Sequence, residues 1–175
     1  ATVEERLAEH GPSARARLQA RFAAAGISYP PHSIVLAGFK QENVIHLYAA
    51  GAPEALRFVH AYPVLAASGG LGPKVAEGDR QVPEGVYRIE SLNPNSRFHL
   101  SLRLDYPNQF DRERAQEEGR QELGGDIMIH GAASSIGCLA IGDPAIEELF
   151  VLVADVGREN ASVILSPVDL RTSPL

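Results

Sequence analysis

Apolar positions recur at two different periods along this chain, and the change of period divides it. Over Ala14–Ala25, Ala14, Leu18, Phe22 and Ala25 fall on one face at helical spacing, with Ser13 placed as N-cap and Gly26 as the residue that ends the helix. Before it, Val3–His10 predicts a separate short helix closed by Gly11–Pro12. Arg15, Arg17 and Arg21 lie off the apolar stripe and read as a solvated face. Tyr29-Pro30-Pro31 then imposes an extended connection. Residues 1–32 are therefore expected to form a helical extension packed on a domain spanning 33–175.

From Ser33 onward the pattern is that of strands. Ser33–Phe39 and Val44–Ala50 are apolar and β-branched around the polar turn Lys40–Asn43, which predicts a hairpin. Leu56–Ala67 holds a further strand, disturbed at Pro63. Ser68–Gly85, rich in Gly, Pro and charge, is expected to be a long loop of the kind that carries function. Val86–Ser91 and Phe98–Leu104 predict two more strands; in the second, His99, Ser101 and Arg103 oppose Phe98, Leu100, Leu102 and Leu104. Tyr106–Gly125 is a polar excursion with a short exposed helix within Phe110–Gln121, either a wall of a site or a solvated insertion. Ile127–Ile129 is a short buried strand. Asp143 as N-cap and Pro144 as first helical residue open a helix whose apolar face is Ile146, Leu149, Phe150 and Val153. Ser162–Leu165 is the last strand, and the tail from Pro167 is irregular. Many short strands with two or three helices predict a mainly β domain of the α+β class.

Composition narrows the function classes. A chain of 175 residues with 45% hydrophobic residues supports one folded domain. A net charge of −6 without a basic stripe argues against nucleic acid as partner. No apolar run approaches the roughly 20 residues that span a bilayer. One cysteine excludes an internal disulfide. The chain begins at Ala1 without a signal peptide, so an exported protein would have lost it earlier.

That cysteine, Cys138, stands eight residues after His130 in D-I-M-I-H-G-A-A-S-S-I-G-C-L-A-I-G-D. A thiol beside an imidazole can form a thiolate–imidazolium pair, and glycines nearby let a substrate backbone approach and main-chain N–H groups converge. On residue type alone, a buried core Cys and a half-buried structural His remain the competing reading. His10, His32, His46 and His60 show no metal-ligand spacing, so neither a metal nor another cofactor is expected.

Several segments in order resemble the L,D-transpeptidase catalytic domain, the YkuD family, in its YafK-like branch. They are G-P-K-V-A-E-G-D-R-Q-V-P-E-G-V-Y-R-I (Gly72–Ile89), N-P (Asn93–Pro94), F-H-L-S-L (Phe98–Leu102), Y-P-N-Q-F-D (Tyr106–Asp111), I-H-G and S-S-I-G-C-L-A (Ile129–Ala140). The resemblance implies a compact β-sandwich or barrel with a helix after the nucleophile. It implies an exported enzyme of the periplasm or cell envelope. Its thiolate would attack peptidoglycan stem peptides at the bond between diaminopimelate and the next D-amino acid, through a thioester. Transpeptidation is the first reading. Hydrolysis that frees a peptidoglycan-linked lipoprotein is the alternative, and a non-catalytic wall-binding module the second alternative.

Carried over by position, Cys138 is the nucleophile and His130 the base. Gly137, Cys138 and Leu139 supply oxyanion N–H groups, each worth about 3–4 kcal/mol. Gly131, Ala132, Ser134 and Ser135 orient the His or meet substrate, a carbonyl near Gly131 or Ala132 being the expected orienter. Lys74 and Asp79 are expected to brace the long loop, Tyr106, Pro107 and Asn108 to shape a turn, and Arg88 or Arg103 to meet a substrate carboxylate. The short His-to-Cys gap, Ile136 in place of a His and Ala140 in place of an Arg or Asn depart from the better-known pattern and leave the acceptor open.

Overall fold

The computed structural model describes residues 1–52, 55–134 and 137–172. In chain order the elements are helix α1 (Val3–Ala25), strands β1 (Ser33–Phe39), β2 (Val44–Ala50), β3 (Arg57–Pro63), β4 (Ala66–Ala67), β5 (Gly85–Ser96) and β6 (His99–Leu104), helix α2 (Gln109–Glu117), strands β7 (Met128–His130) and β8 (Leu139–Ala140), helix α3 (Asp143–Val156) and strand β9 (Ala161–Ser166). The strands join in one sheet of order β3-β2-β1-β9-β5-β6-β7-β8-β4. Only β1 with β9 and β7 with β8 are parallel; the other neighbours are antiparallel.

The sheet curls back on itself. β3 and β4 are its two outer strands, yet only Val64 and Leu65 separate them in the chain. The Val64 N–H donates to Asn43 O beside β2, and the Leu65 N–H donates to Ala140 O of β8. Adjacent residues thus touch both ends of the strand order, which brings the edges together as in a barrel. β5 is longer than the expected Val86–Ser91. Its first half pairs with β9 and its second with β6, with register breaks between Ile89 and Ser91 and between Asn93 and Ser96. The second irregularity accommodates Pro94, which could not donate to a regular ladder.

Helix α3 lies against β6 and β7 and is covered by α1. Beyond the expected Ile146, Leu149, Phe150 and Val153, it also buries Val151, Leu152, Val156 and Glu148. It starts one residue differently from expectation: Gly142 is the cap and Asp143 the first helical residue. The Asp143 side chain is occupied elsewhere, as described below.

Two expectations for the N-terminus are corrected. Val3–Ala25 is one helix and Pro12 lies inside it, opened by a capping box between Thr2 and Glu5. An interior Pro costs about 3 kcal/mol. The buried face of Gly11, Ala14, Leu18 and Phe22 runs across the Pro, and burying a Leu and a Phe contributes about 1.5–3 kcal/mol each, enough to outweigh it. The arginines are not a solvated face. Arg15 grips Asp155 through two bonds of 3.0 and 2.9 Å, and Arg17 and Arg21 close on Glu148 at 2.8 Å each. The Glu148 carboxylate, 3% exposed, also accepts from Tyr62 Oη at 2.9 Å. Burying it where α3 meets α1 requires these donors, so they turn inward.

Residues 68–84 form the expected loop, held by internal bonds. Asp79 accepts from Lys74 Nζ at 2.7 Å and from the N–H groups of Val75, Ala76 and Gln81. Burial works to raise the Asp79 pKa, but the Lys74 bond and the three N–H donors outweigh it and hold the carboxyl down to about 2, against an ordinary value of 3.8. A depressed carboxyl stabilises the fold fully above its unfolded pKa and loses that contribution as pH falls towards the folded value. Asp79→Asn should therefore cost about 2 kcal/mol at pH 7. Chemical denaturation at a series of pH values should show the gap to wild type closing between about pH 4 and pH 2. A gap independent of pH would mean the carboxylate charge is not what holds the loop.

Candidate active site

The site grows from the shortest strands of the sheet. β7 lies between β6 and β8, with His130 paired to Ser101 on one side and Ala140 on the other. His130 is 1% exposed. Its Nδ1 lies 2.6 Å from the carbonyl of Gly131. A carbonyl only accepts, so Nδ1 carries the proton and Nε2 keeps its lone pair. The Phe98 ring stacks on the imidazole at 4.2 Å with 19° between planes. Burial lowers the pKa of His130, and the Gly131 bond works the other way.

The turn after His130 is packed to the limit. A Cβ at Gly131 would lie 2.6 Å from Asp143 Oδ1, 2.6 Å from Phe98 O and 3.1 Å from Ile146 Cγ2. Ala132 follows with φ of +60°. Its N–H donates to Asp143 Oδ1 at 2.9 Å, and its carbonyl accepts from Gly142 at 2.9 Å. That is the task that draws Asp143 away from capping α3. Ser134 is exposed further along this turn. Ser135 and Ile136 lie outside the described residues.

Cys138 leads directly into β8, which runs parallel to β7 with Leu139 opposite Ile129 and Ala140 opposite His130. Strand alternation therefore gives Cys138 the same facing as Ala140 and His130. Its thiol is 5% exposed and donates from Sγ to Asp126 O at 3.3 Å. Burial pushes the thiol pKa up, the Met128 N–H pulls it down, and the charges of Asp126 and Lys74 oppose each other. Both directions run against a charged pair in the free protein. Burial favours the uncharged form of each group.

Two of the three expected oxyanion donors, Gly137 and Leu139, have partners that can be named. The Gly137 N–H donates to Ser68 Oγ, which itself donates to Arg80 O at 2.7 Å. Gly137 has φ of +74°, a left-handed conformation natural to glycine. Leu139 is 4% exposed and paired between Ile129 and Ala67 inside the sheet. A Gly137 N–H engaged by Ser68 is not directed at a reacting carbonyl in this arrangement.

Around this centre, Lys74 and Asp79 form the ion pair that braces the loop, at 2.7 Å. The Tyr106 hydroxyl donates to Leu123 O at 2.9 Å and Asn108 caps α2, so both hold backbone. Arg103 is engaged by Glu90 and Asp126. Arg88 is exposed on the half of β5 that pairs with β9. Beyond Lys74 opens a groove of about 390 Å³, lined among others by Pro73, Tyr106, Phe110, Arg114 and Arg120. Sequence reasoning missed Phe98, Ser68, Asp126 and the role of Asp143. Each acts through one long-range contact that no local pattern announces.

Residues 40–165 match the L,D-transpeptidase catalytic domain, YkuD. YafK of Escherichia coli K12, provisionally assigned as an L,D-transpeptidase, is 34% identical over 134 residues, covering 74% of this chain and 52% of YafK. The chain thus spans about half the length of that relative. Among solved structures, the helical cell shape determining protein Pgp2 of Campylobacter jejuni has a TM-score of 0.63 at 21% identity, over 81% of this chain and 50% of Pgp2. Bd1075 of Bdellovibrio bacteriovorus gives 0.57 at 20%, over 81% and 51%. At those identities the likeness is one of fold. The matched segment holds both His130 and Cys138, and this chain belongs to the YkuD family of L,D-transpeptidase catalytic domains.

Proposed function

We propose that this chain is a cysteine-dependent enzyme of the cell envelope that acts on peptidoglycan stem peptides. It opens the amide between diaminopimelate and the following D-amino acid and passes the acyl group to an amine, as an L,D-transpeptidase. The observation that carries the reading is the fixed tautomer of His130, whose Nδ1–H is held by the Gly131 carbonyl on a strand parallel to the one that Cys138 opens.

With burial favouring the uncharged form of both groups, proton transfer and attack belong to one step. His130 Nε2 takes the Sγ proton as sulfur bonds to the carbonyl carbon. The carbonyl oxygen gains the charge and is met by main-chain N–H, with that of Cys138 nearest to the new bond. The imidazolium then returns its proton to the leaving amine as the C–N bond breaks, leaving the thioester. An incoming amine reverses the sequence. Water in its place gives hydrolysis, and one observation favours keeping that reading: Ala140, where better-known members carry a polar side chain, is fully buried beside Ala66. No side chain there reaches an acceptor.

The deciding experiment is mass spectrometry of muropeptides after incubation with wild type and Cys138→Ala. One digest carries free tetrapeptide stems and the other lipoprotein-linked stems. Wild type should give dimers joined between two diaminopimelates. Tripeptide stems with released lipoprotein peptide would select the hydrolase, and product persisting in Cys138→Ala would end the cysteine mechanism.

The neutral dyad has a pH signature. Iodoacetamide labelling of Cys138 should keep accelerating past pH 9, because burial raises the thiol above its ordinary 9.0. Turnover should lose activity in acid with a midpoint below 6.5, because His130 is pushed below that value. Full labelling rate already at neutral pH would indicate an ion pair instead.

Ser68 is a positioning residue, since it pins the Gly137 turn that presents the nucleophile. Ser68→Ala should lower kcat roughly tenfold with little change in KM, matching the loss of one hydrogen bond of about 1–1.5 kcal/mol. Ser68→Thr should retain the rate. Equal kcat in the Ala variant would remove Ser68 from the catalytic apparatus.

A further inference from the structure

Outside the cysteine site, three side chains of metal-ligand type meet where α1 crosses α3 and the start of β6. His99 Nε2 lies 2.8 Å from Glu147 Oε1, and His10 Nδ1 lies 3.3 Å from the same oxygen. One donor atom from each of the three falls within 4.8 Å of the others. The two imidazoles meet edge to face at 5.0 Å. The other oxygen of Glu147 faces Arg17 at 3.9 Å, which leaves Oε1 turned to the imidazoles. His10 Nε2 is buried without a hydrogen-bond partner among the described residues, with Glu9 Oε2 at 3.6 Å.

We propose that His10, His99 and Glu147 form a binding site for a divalent first-row transition metal ion, Zn²⁺ being the cellular ion that this donor set suits. Two imidazoles and one carboxylate are a common zinc set. Donors at the usual bond lengths around a tetrahedral ion stand about 3.3 Å apart. The present separations, 2.8 and 3.3 Å about Glu147 Oε1 and all within 4.8 Å, bracket that value. The ion replaces the proton shared between His99 and Glu147 and offsets the carboxylate charge. With Nδ1 on the metal, the Nε2–H of His10 turns to Glu9, giving the carboxylate–histidine–metal arrangement that fixes ligand orientation. Water completes the fourth position.

The three ligands come from three elements, so the ion ties α1 to the domain. His99 has φ of +75°, a conformation that aims its side chain at α1 and α3. It directly follows Phe98, whose ring lies on His130. Glu147 stands one turn after Asp143, which holds Ala132. The bound ion therefore stiffens the wall behind the candidate base without entering the reaction. The inference does not depend on the proposed chemistry at Cys138.

The test is a Co²⁺ titration of the Cys138→Ser protein, in which no thiolate can bind the ion. Uptake of one equivalent with visible d–d absorption, displaced by Zn²⁺, is expected. Zn²⁺ at a hundredfold excess over its Kd should raise Tm by on the order of 5–10 °C. His10→Ala and, separately, Glu147→Gln should each weaken binding more than tenfold. Both side chains are partly buried, so circular dichroism verifies the fold of each variant. Absence of uptake, or uptake that persists in both variants, overturns the site and leaves the cluster a proton-sharing contact between helix and sheet.

Discussion

The turn at Gly131 has no room for a side chain, and much of the site depends on that. Three atoms from two parts of the fold press on one Cα: the carbonyl of Phe98 before β6, and, from α3, the carboxylate of Asp143 at its start and the side chain of Ile146 one turn on. Contacts at 2.6 Å to a virtual Cβ cannot be relieved by moving a flexible tip, since one of the atoms is backbone. The same residue supplies the carbonyl that holds His130 Nδ1. Packing of a helix against a strand therefore fixes which imidazole nitrogen carries the lone pair. Asp143 gives up capping its own helix to hold Ala132, so the local rule fails where the site needs the side chain.

Burial then decides the electrostatics. A buried imidazole resists protonation and a buried thiol resists deprotonation. Both shifts oppose a resting ion pair. The arrangement has a compensating advantage. In surroundings of low dielectric constant, hydrogen bonds to the charge that develops during attack are stronger than they would be in water. A dyad that ionises only as the substrate carbonyl arrives places that charge where main-chain N–H groups can meet it.

The strand hairpin was legible because its information is local: Ser33–Phe39 and Val44–Ala50 alternate on either side of a polar turn, and the observed strands have those bounds. Helix α3 was legible as an apolar face, but Glu148 within it was not, because its partners Arg17, Arg21 and Tyr62 lie far away in sequence. Those arginines were misread as solvated for the same reason: charge pattern alone cannot say that a carboxylate is buried opposite. Pro12 misled in the other direction, since a local break was overridden by packing that continues across it. The positions of His130 and Cys138 could be read from the motif, whereas Ser68, Phe98 and the His99–Glu147 contact exist only once the sheet has closed.

That closure also explains why the long loop reaches the nucleophile. β4 belongs in sequence to the β2–β3 end of the sheet but pairs with β8 at the other end. The chain leaves β4 at Ala67, opposite Leu139, so its next residue, Ser68, emerges beside Gly137. The hydrogen bond between them follows from topology rather than from an insertion that happened to fold over the site. Asp79, Lys74 and Gln81 then hold the rest of the loop in place over the groove beyond Lys74. One strand pairing of two residues thus couples the wall of the groove to the turn that carries the thiol. Loosening either should be felt at the other, because the Ser68 bond joins them directly.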